Sequence, residues 1–478
     1  MKTIFKSIAV ILISFLISIE SFGQSKLIGD WEGLLNIGSK KIRILVHIQA
    51  NENGFKSTMD SPDQGAINLS LADTEIKDDS LKISDAKLMI KIVGEYSPKL
   101  ERQNRSSIDE AKQQSDSIKA LFLQGGAKIP INFGRSEIKE FSTNRPQTPK
   151  PPFPYKSEEV KFANEKAGGI KLAGTLTLPD NVANPPVAIL ISGSGAQNRN
   201  EKAFEHEPFL ILSDYLSRNG IAVLRYDDRG TAESEGNFKT ATSFDFSTDA
   251  EAALFYLQSR KDINTKKIGL IGHSEGGMIA PMIAARNPDV AFVVSMAGPA
   301  VPLDQLMLKQ IEELALSENR SEEDIKKLLN LNQAIFNAVK ENEDSMKAVS
   351  AIESILDKEN YANGNPDARR NITQRSMSIW FRYFIKYIPF PTLEKVNCPF
   401  LAINGEKDKQ VDAKMNLEMM RSAFSKGKNP DYSLIYLPGL NHAFQEANTG
   451  NVSEYRMIEQ TMSPVALETI TKWIKERF

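Results

Sequence analysis

Cysteine is almost absent from this 478-residue chain, with Cys398 the only one. That excludes an intramolecular disulfide, and no cysteine near the N-terminus is there to carry a lipid. Histidine is nearly as scarce, and His47, His206, His273 and His442 are the only four. Charge of one sign is not in excess either: 59 Lys plus Arg face 61 Asp plus Glu, a formal charge of -2. Nothing in that balance draws the chain toward nucleic acid or an anionic surface. Internal repeats and long low-complexity tracts are lacking. The apolar run from Ile8 to Ile19 is too short to span a bilayer comfortably. With Lys2 and Lys6 before it and Ser21-Phe22-Gly23-Gln24 after it, residues 1–23 read as a secretory signal peptide cleaved before Gln24. Cleavage leaves no stable membrane anchor. An exported chain without disulfides fits the periplasm of a Gram-negative bacterium, or secretion from one, with stability drawn from its core.

What is present is enough chain for two or three units. Residues 24–145 alternate short apolar-polar runs with turns, as in Trp31-Glu32-Gly33-Leu34-Leu35 and Ile42-Arg43-Ile44-Leu45-Val46-His47-Ile48. Period-two alternation predicts half-buried strands and a small all-β, barrel-like domain. His47 reads there as a plain surface or barrel-interior residue, and the polar stretch Lys99–Ser117 as an insertion. Residues 146–154 are proline-rich, which predicts an extended, semi-rigid spacer. From residue 155 strands and helices alternate, as an α/β domain requires. About 100 residues separate the strand around Val293 from that around Leu401, more than a crossover needs. Residues 303–356 have helical apolar spacing, and Ser321 before Glu322, Glu323 and Asp324 is a good helix start.

Residues 272–277 read Gly-His-Ser-Glu-Gly-Gly, directly after the apolar run Ile268-Gly269-Leu270-Ile271. A strand running into Gly-x-Ser-x-Gly and then a helix marks a strained turn that exposes Ser274 at a helix N-terminus. A serine hydroxyl needs a base, and the base needs an orienting acid. His273 lies within the turn and is expected to point away from the serine. In the chain order serine, acid, histidine, only His442 remains. Among acids after the strand Pro399–Asn404, Asp408 is preferred over Glu406 and Asp412. Glu205-His206-Glu207 has no second histidine nearby, so neither a metal nor any other cofactor is expected.

Taken together, Gly193-Ser194-Gly195-Ala196-Gln197-Asn198-Arg199 after a strand, Tyr226-Asp227-Asp228-Arg229-Gly230, the Gly-His-Ser-Glu-Gly-Gly turn, Gly405-x-x-Asp408-x-x-Val411 and Asn441-His442 resemble the α/β-hydrolase superfamily. The nearest likeness is to bacterial serine carboxylesterases related to dienelactone hydrolase and to prolyl oligopeptidase catalytic domains, over residues 155–478. The resemblance implies a helical lid at about 301–390. It also implies oxyanion donors from the backbone N–H groups of Ser194, or Gly195, and of Glu275, with Arg229 structural. The substrate it implies is a short, uncharged acyl ester, a small molecule, and a homo-oligomer is compatible with it. A propeller-gated peptidase is the nearest alternative, but residues 24–145 are too few for its blades. A non-catalytic binding protein on the same fold is the third reading.

Overall fold

The computed structural model describes residues 25–37, 40–51, 54–62, 66–98, 116–124, 127–136, 144–180 and 182–478. The signal-peptide reading, and all of the 99–117 insertion but its last two residues, lie outside them. The chain divides into two compact units, residues 1–142 and 143–478.

The first unit is one antiparallel sheet. Its strands are β1 (Gly29–Ile37), β2 (Lys40–Asn51), β3 (Gly54–Ser61), β4 (Ala66–Leu71), β5 (Asp73–Lys77), β6 (Ser80–Asp85), β7 (Ile90–Ser97), β8 (Ser117–Gln124) and β9 (Ala127–Arg135). They pair in the order β4-β3-β2-β1-β9-β8-β7-β6-β5, so the two edge strands are consecutive in the chain. At the seam the Ser57 and Thr74 hydroxyls are 2.7 Å apart, and the sheet is a near-closed barrel. Alternation sorts the side chains: Ile90, Ile92 and Tyr96 of β7 face inward while Lys91, Val93 and Glu95 face out. Trp31, Ile83, Ile92 and Phe133 fill the interior. His47 is neither a surface residue nor a bare interior one. It is buried between two carboxylates, Nδ1 2.7 Å from Asp30 and Nε2 2.9 Å from Asp60. Those partners, Asp60 above all, outweigh burial and raise its pKa from 6.5 to about 8.

The second unit holds an eight-stranded sheet made of β10 (Tyr155–Asn164), β11 (Ile170–Pro179), β12 (Val187–Ile191), β13 (Ala222–Tyr226), β14 (Ile268–His273), β15 (Val293–Met296), β16 (Phe400–Gly405) and β17 (Tyr432–Leu437). The order is β10-β11-β13-β12-β14-β15-β16-β17. The first three pair antiparallel and the rest parallel. Every residue of β12 and β13 is buried, because helices cover both faces of a parallel sheet. One core joins α1 (Pro208–Arg218) and α11 (Pro464–Lys475) to one face. The other joins α2 (Ser243–Gln258), α3 (Glu275–Ala284) and α10 (Ala413–Gly427), with α9 (Phe390–Leu393), to the opposite face.

Between β15 and β16 lie α4 (Leu303–Ser317), α5 (Glu322–Glu341), α6 (Ser345–Lys358), α7 (Pro366–Ser376) and α8 (Ile379–Phe384). They carry an apolar core of their own around Phe336, Val339, Ile352 and Leu356. Ser321 caps α5 by accepting from the Asp324 N–H. This is the α/β-hydrolase architecture with a helical insertion.

Residues 144–154 depart from the spacer reading, since they belong to the second unit. Composition speaks for an extended chain, but Arg145 and Gln147 anchor it by hydrogen bonds to carbonyl and amide groups of the body. Among the described residues no helix is long and apolar enough to cross a membrane.

Candidate active site

Ser274 sits between β14 and α3 with φ 53° and ψ -117°, a strained conformation for any residue bearing a side chain. The strain is enforced by close approach on both sides. A Cβ on Gly272 would stand 1.9 Å from the Gly276 carbonyl oxygen, and one on Gly276 would stand 2.1 Å from that of Ile191. Only glycine fits either position. The amide of Glu275 opens α3, where first-turn N–H groups have no acceptor within the helix.

The loop after β12 passes beside the elbow, where a Cβ on Gly193 would stand 3.2 Å from that of Ser274. Gly193 N–H is already committed to the Glu201 carboxylate at 2.7 Å, and the amides of Ser194 and Gly195 follow it in the loop. Asp228 grips the same loop, accepting from the Ser192 hydroxyl at 2.8 Å and the Gln197 N–H at 2.9 Å. Burial pushes the Asp228 carboxyl up to about 8, against the pull of those two donors. Arg229 next to it forms a buried pair with Asp249, Nε to Oδ2 2.7 Å, and ties the loop to α2.

His442 and Asp408 meet: His442 Nδ1 lies 2.8 Å from Asp408 Oδ2. Asp408 Oδ1 accepts from the Gln410 and Val411 N–H groups, both at 2.8 Å. The rival acids are occupied elsewhere. Asp412 caps α10 through the Met415 N–H, and Glu406 accepts from the Gly439 N–H. With Nδ1 engaged by the acid, Nε2 is the nitrogen left to act as a base.

His273 does not simply point away. Its Nδ1 is 3.0 Å from Glu201 and its Nε2 donates to the His442 carbonyl at 3.0 Å, so it braces the backbone of the histidine loop. Glu201, Asp228 and His273 carry this support, and sequence reading missed all three as supports. Glu201 sits in a loop with no periodicity to mark it. His206 is buried against Thr461 and the Tyr455 carbonyl, and burial lowers its pKa to about 4. Among the described residues no cluster of His, Cys, Asp and Glu could hold a metal ion.

Ser274, Glu275, Ser194 and His442 all line one cavity of about 340 Å³. Leu306, Met307, Trp380 and Phe384 from the helical insertion form one wall. Phe204, His206, Tyr455 and Met462 form the wall beside His442, and the lining holds no Lys or Arg. Glu275 joins wall and elbow: its carboxylate accepts from Trp380 Nε1 at 2.8 Å and the Ser243 hydroxyl at 2.6 Å. Burial raises its pKa, while these donors and the Ser194 hydroxyl pull it down.

A serine at a strained strand-to-helix turn, facing a cavity with a histidine-carboxylate pair, defines an esterase-like α/β hydrolase. More narrowly, the chain belongs to the serine aminopeptidase S33 family (Hydrolase_4), which it matches over residues 207–446. It is similar to Esterase EstD of Thermotoga maritima, 33% identical over 154 residues. That stretch is 32% of this chain and 37% of the relative's length. Among solved structures, the Pyrococcus furiosus esterase Pf2001 is 14% identical with a TM-score of 0.40, over 68% of this chain and 93% of that one. Est1E from Butyrivibrio proteoclasticus, solved with ferulic acid bound, is 18% identical with a TM-score of 0.38, over 66% and 96% of the two chains.

Proposed function

We propose that this protein is a serine carboxylesterase acting on small, uncharged acyl esters. The observation that carries the reading is one cavity, lined by no Lys or Arg, onto which Ser274 and His442 both open, with Asp408 behind the imidazole. Ser274 Oγ attacks the ester carbonyl while His442 Nε2 takes its proton. The tetrahedral oxyanion is held by the Ser194 and Glu275 amides. His442 then protonates the leaving alkoxide. Water, deprotonated by the same nitrogen, releases the acyl group as a carboxylate, and Asp408 keeps the imidazole in the tautomer with Nδ1–H. The cavity lining carries the Glu201 and Glu275 carboxyls and no Lys or Arg to bind an anionic acyl group, which favours neutral substrates.

The family's description makes a peptidase the reading to test against, and a leaving amine demands more of the acid step than an alcohol does. The test is fluorophosphonate labelling, followed by kcat/KM on a panel of acyl esters and aminoacyl amides. Labelling at Ser274 that Ser274→Ala abolishes, with kcat down about four orders of magnitude and esters preferred over amides, is expected. Labelling at another serine, or amides cleaved faster than esters, overturns it. We further propose export to the periplasm or beyond, and a mature chain beginning at Gln24 in fractionated cells is the result that supports it.

A further inference from the structure

The wall of the cavity beside His442 is built from two loops far apart in sequence, residues 204–206 and 455–462. Neither is held by regular secondary structure pairing with the other. Phe204 and Glu205 have φ of 51° and 62°, backbone that a side-chain-bearing residue adopts at a cost. The loops meet directly through the Arg456–Glu205 ion pair at 2.8 Å and through Gln445, which reaches His206 and the Tyr455 carbonyl. Residues 144–148, ahead of the first strand of the unit, add a bridge across their backbones. Arg145 donates four hydrogen bonds to carbonyls: to Phe204 at 3.1 Å, Glu205 at 3.2 Å, Arg456 at 2.8 Å and Ile458 at 2.6 Å. Gln147 adds three, donating to the Met462 carbonyl at 2.7 Å and accepting from the Thr461 and Met462 N–H groups at 2.6 and 3.0 Å. One planar fork therefore spans both loops, a geometry that a lysine's point charge does not reproduce.

Inside this clamp the cavity-lining groups are fixed on one another. Phe204 packs edge-on against Tyr455 with ring centroids 5.6 Å apart, and His206 meets both the Thr461 hydroxyl and the Tyr455 carbonyl at 2.9 Å. Because His442 must hand its proton to the departing alcohol, the lobe on its side is where the alcohol portion of an ester lies. We infer that Arg145 and Gln147 are positioning residues that preorganise the alcohol-side wall, and so set which leaving groups the enzyme accepts. This rests on the esterase reading for its substrate, but the clamp itself does not.

The experiment uses the full chain with R145A, Q147A, the double variant and R145K, and has two arms. In hydrogen exchange, amides of residues 199–208 and 453–462 are expected to lose protection at least tenfold in the double variant. In kinetics, KM for a bulky acetate such as naphthyl acetate is expected to rise about tenfold while its kcat changes less than about threefold. KM for methyl acetate should move less than about twofold, and R145K should recover only part of the loss. An equal fall of kcat on both esters, or unchanged KM for both, overturns the proposal. If no ester is cleaved by any form, the functional reading fails. The exchange arm then decides the clamp alone, and unchanged protection there removes it. Q147A, which leaves the Arg145 contacts intact, supplies the same readouts should the arginine variants not fold.

Discussion

The two oxygens of Asp408 have different partners. One accepts two backbone N–H groups, which fixes the carboxylate plane, and the other faces the imidazole of His442. Replacing it with Asn keeps the first function and spoils the second, because an amide N–H directed at Nδ1 stabilises the wrong tautomer. Asp408→Asn is therefore expected to lower kcat about 10⁴-fold. Asp412→Asn should change it less than about twofold, since Asn caps a helix as well as Asp does. Steady-state kinetics on one ester compares them, and equal losses would move the acid elsewhere. That Asp408 meets His442 was legible from its place after a strand and a glycine. The support from Glu201 and His273 was not, because it depends on a loop folding back 72 residues from its partner.

At the scale of elements, the buried parallel strands and the helical stretch within residues 303–356 of the insertion were plain in the sequence. Continuous apolar runs and helical spacing persist wherever one environment covers a whole element. The strand Tyr155–Asn164 was not legible: its run Tyr-Lys-Ser-Glu-Glu-Val-Lys-Phe-Ala-Asn carries two Lys and two Glu, as suits the exposed edge of a sheet. The elbow is the opposite case, where two glycines announce a geometry outright. Gly276→Ala must drive a methyl into the Ile191 carbonyl and should cost at least ~3 kcal/mol. Gly439 is the converse case, with positive φ, 76°, and nothing within 4 Å of its Cβ position, so Gly439→Ala should cost only about 1–2 kcal/mol of backbone strain. Thermal or urea unfolding separates the two, and comparable losses would mean that the neighbouring backbone gives way and close approach does not select glycine at the elbow.

For the whole molecule, one buried histidine in each unit makes stability depend on pH in opposite senses. His47 has its pKa raised from 6.5 to about 8 by Asp60 and Asp30, so the folded unit binds the proton more tightly than the unfolded chain. That contribution, about 2 kcal/mol, is complete below 6.5 and is lost as the pH rises through 8. His206 is held neutral by burial, with Arg145 and Arg456 adding to the effect and Glu205 opposing it, and its pKa falls to about 4. The unfolded chain takes up its proton first, so about 3 kcal/mol present above 6.5 is lost as the pH falls toward 4. Asp228, raised to about 8 by burial, favours the folded state at lower pH and blurs the raw slope of the second unit. The measurement is therefore a difference between proteins, made by calorimetry across pH 4.5 to 8.5. The stability advantage of the native chain over His47→Gln should shrink between pH 6.5 and 8. Its advantage over His206→Gln should shrink between pH 6.5 and 4.5. Gaps that stay constant with pH would show that neither ring changes its proton affinity on folding. A gap over His47→Gln that widens toward pH 8 would mean that the two carboxylates do not hold a charged imidazole.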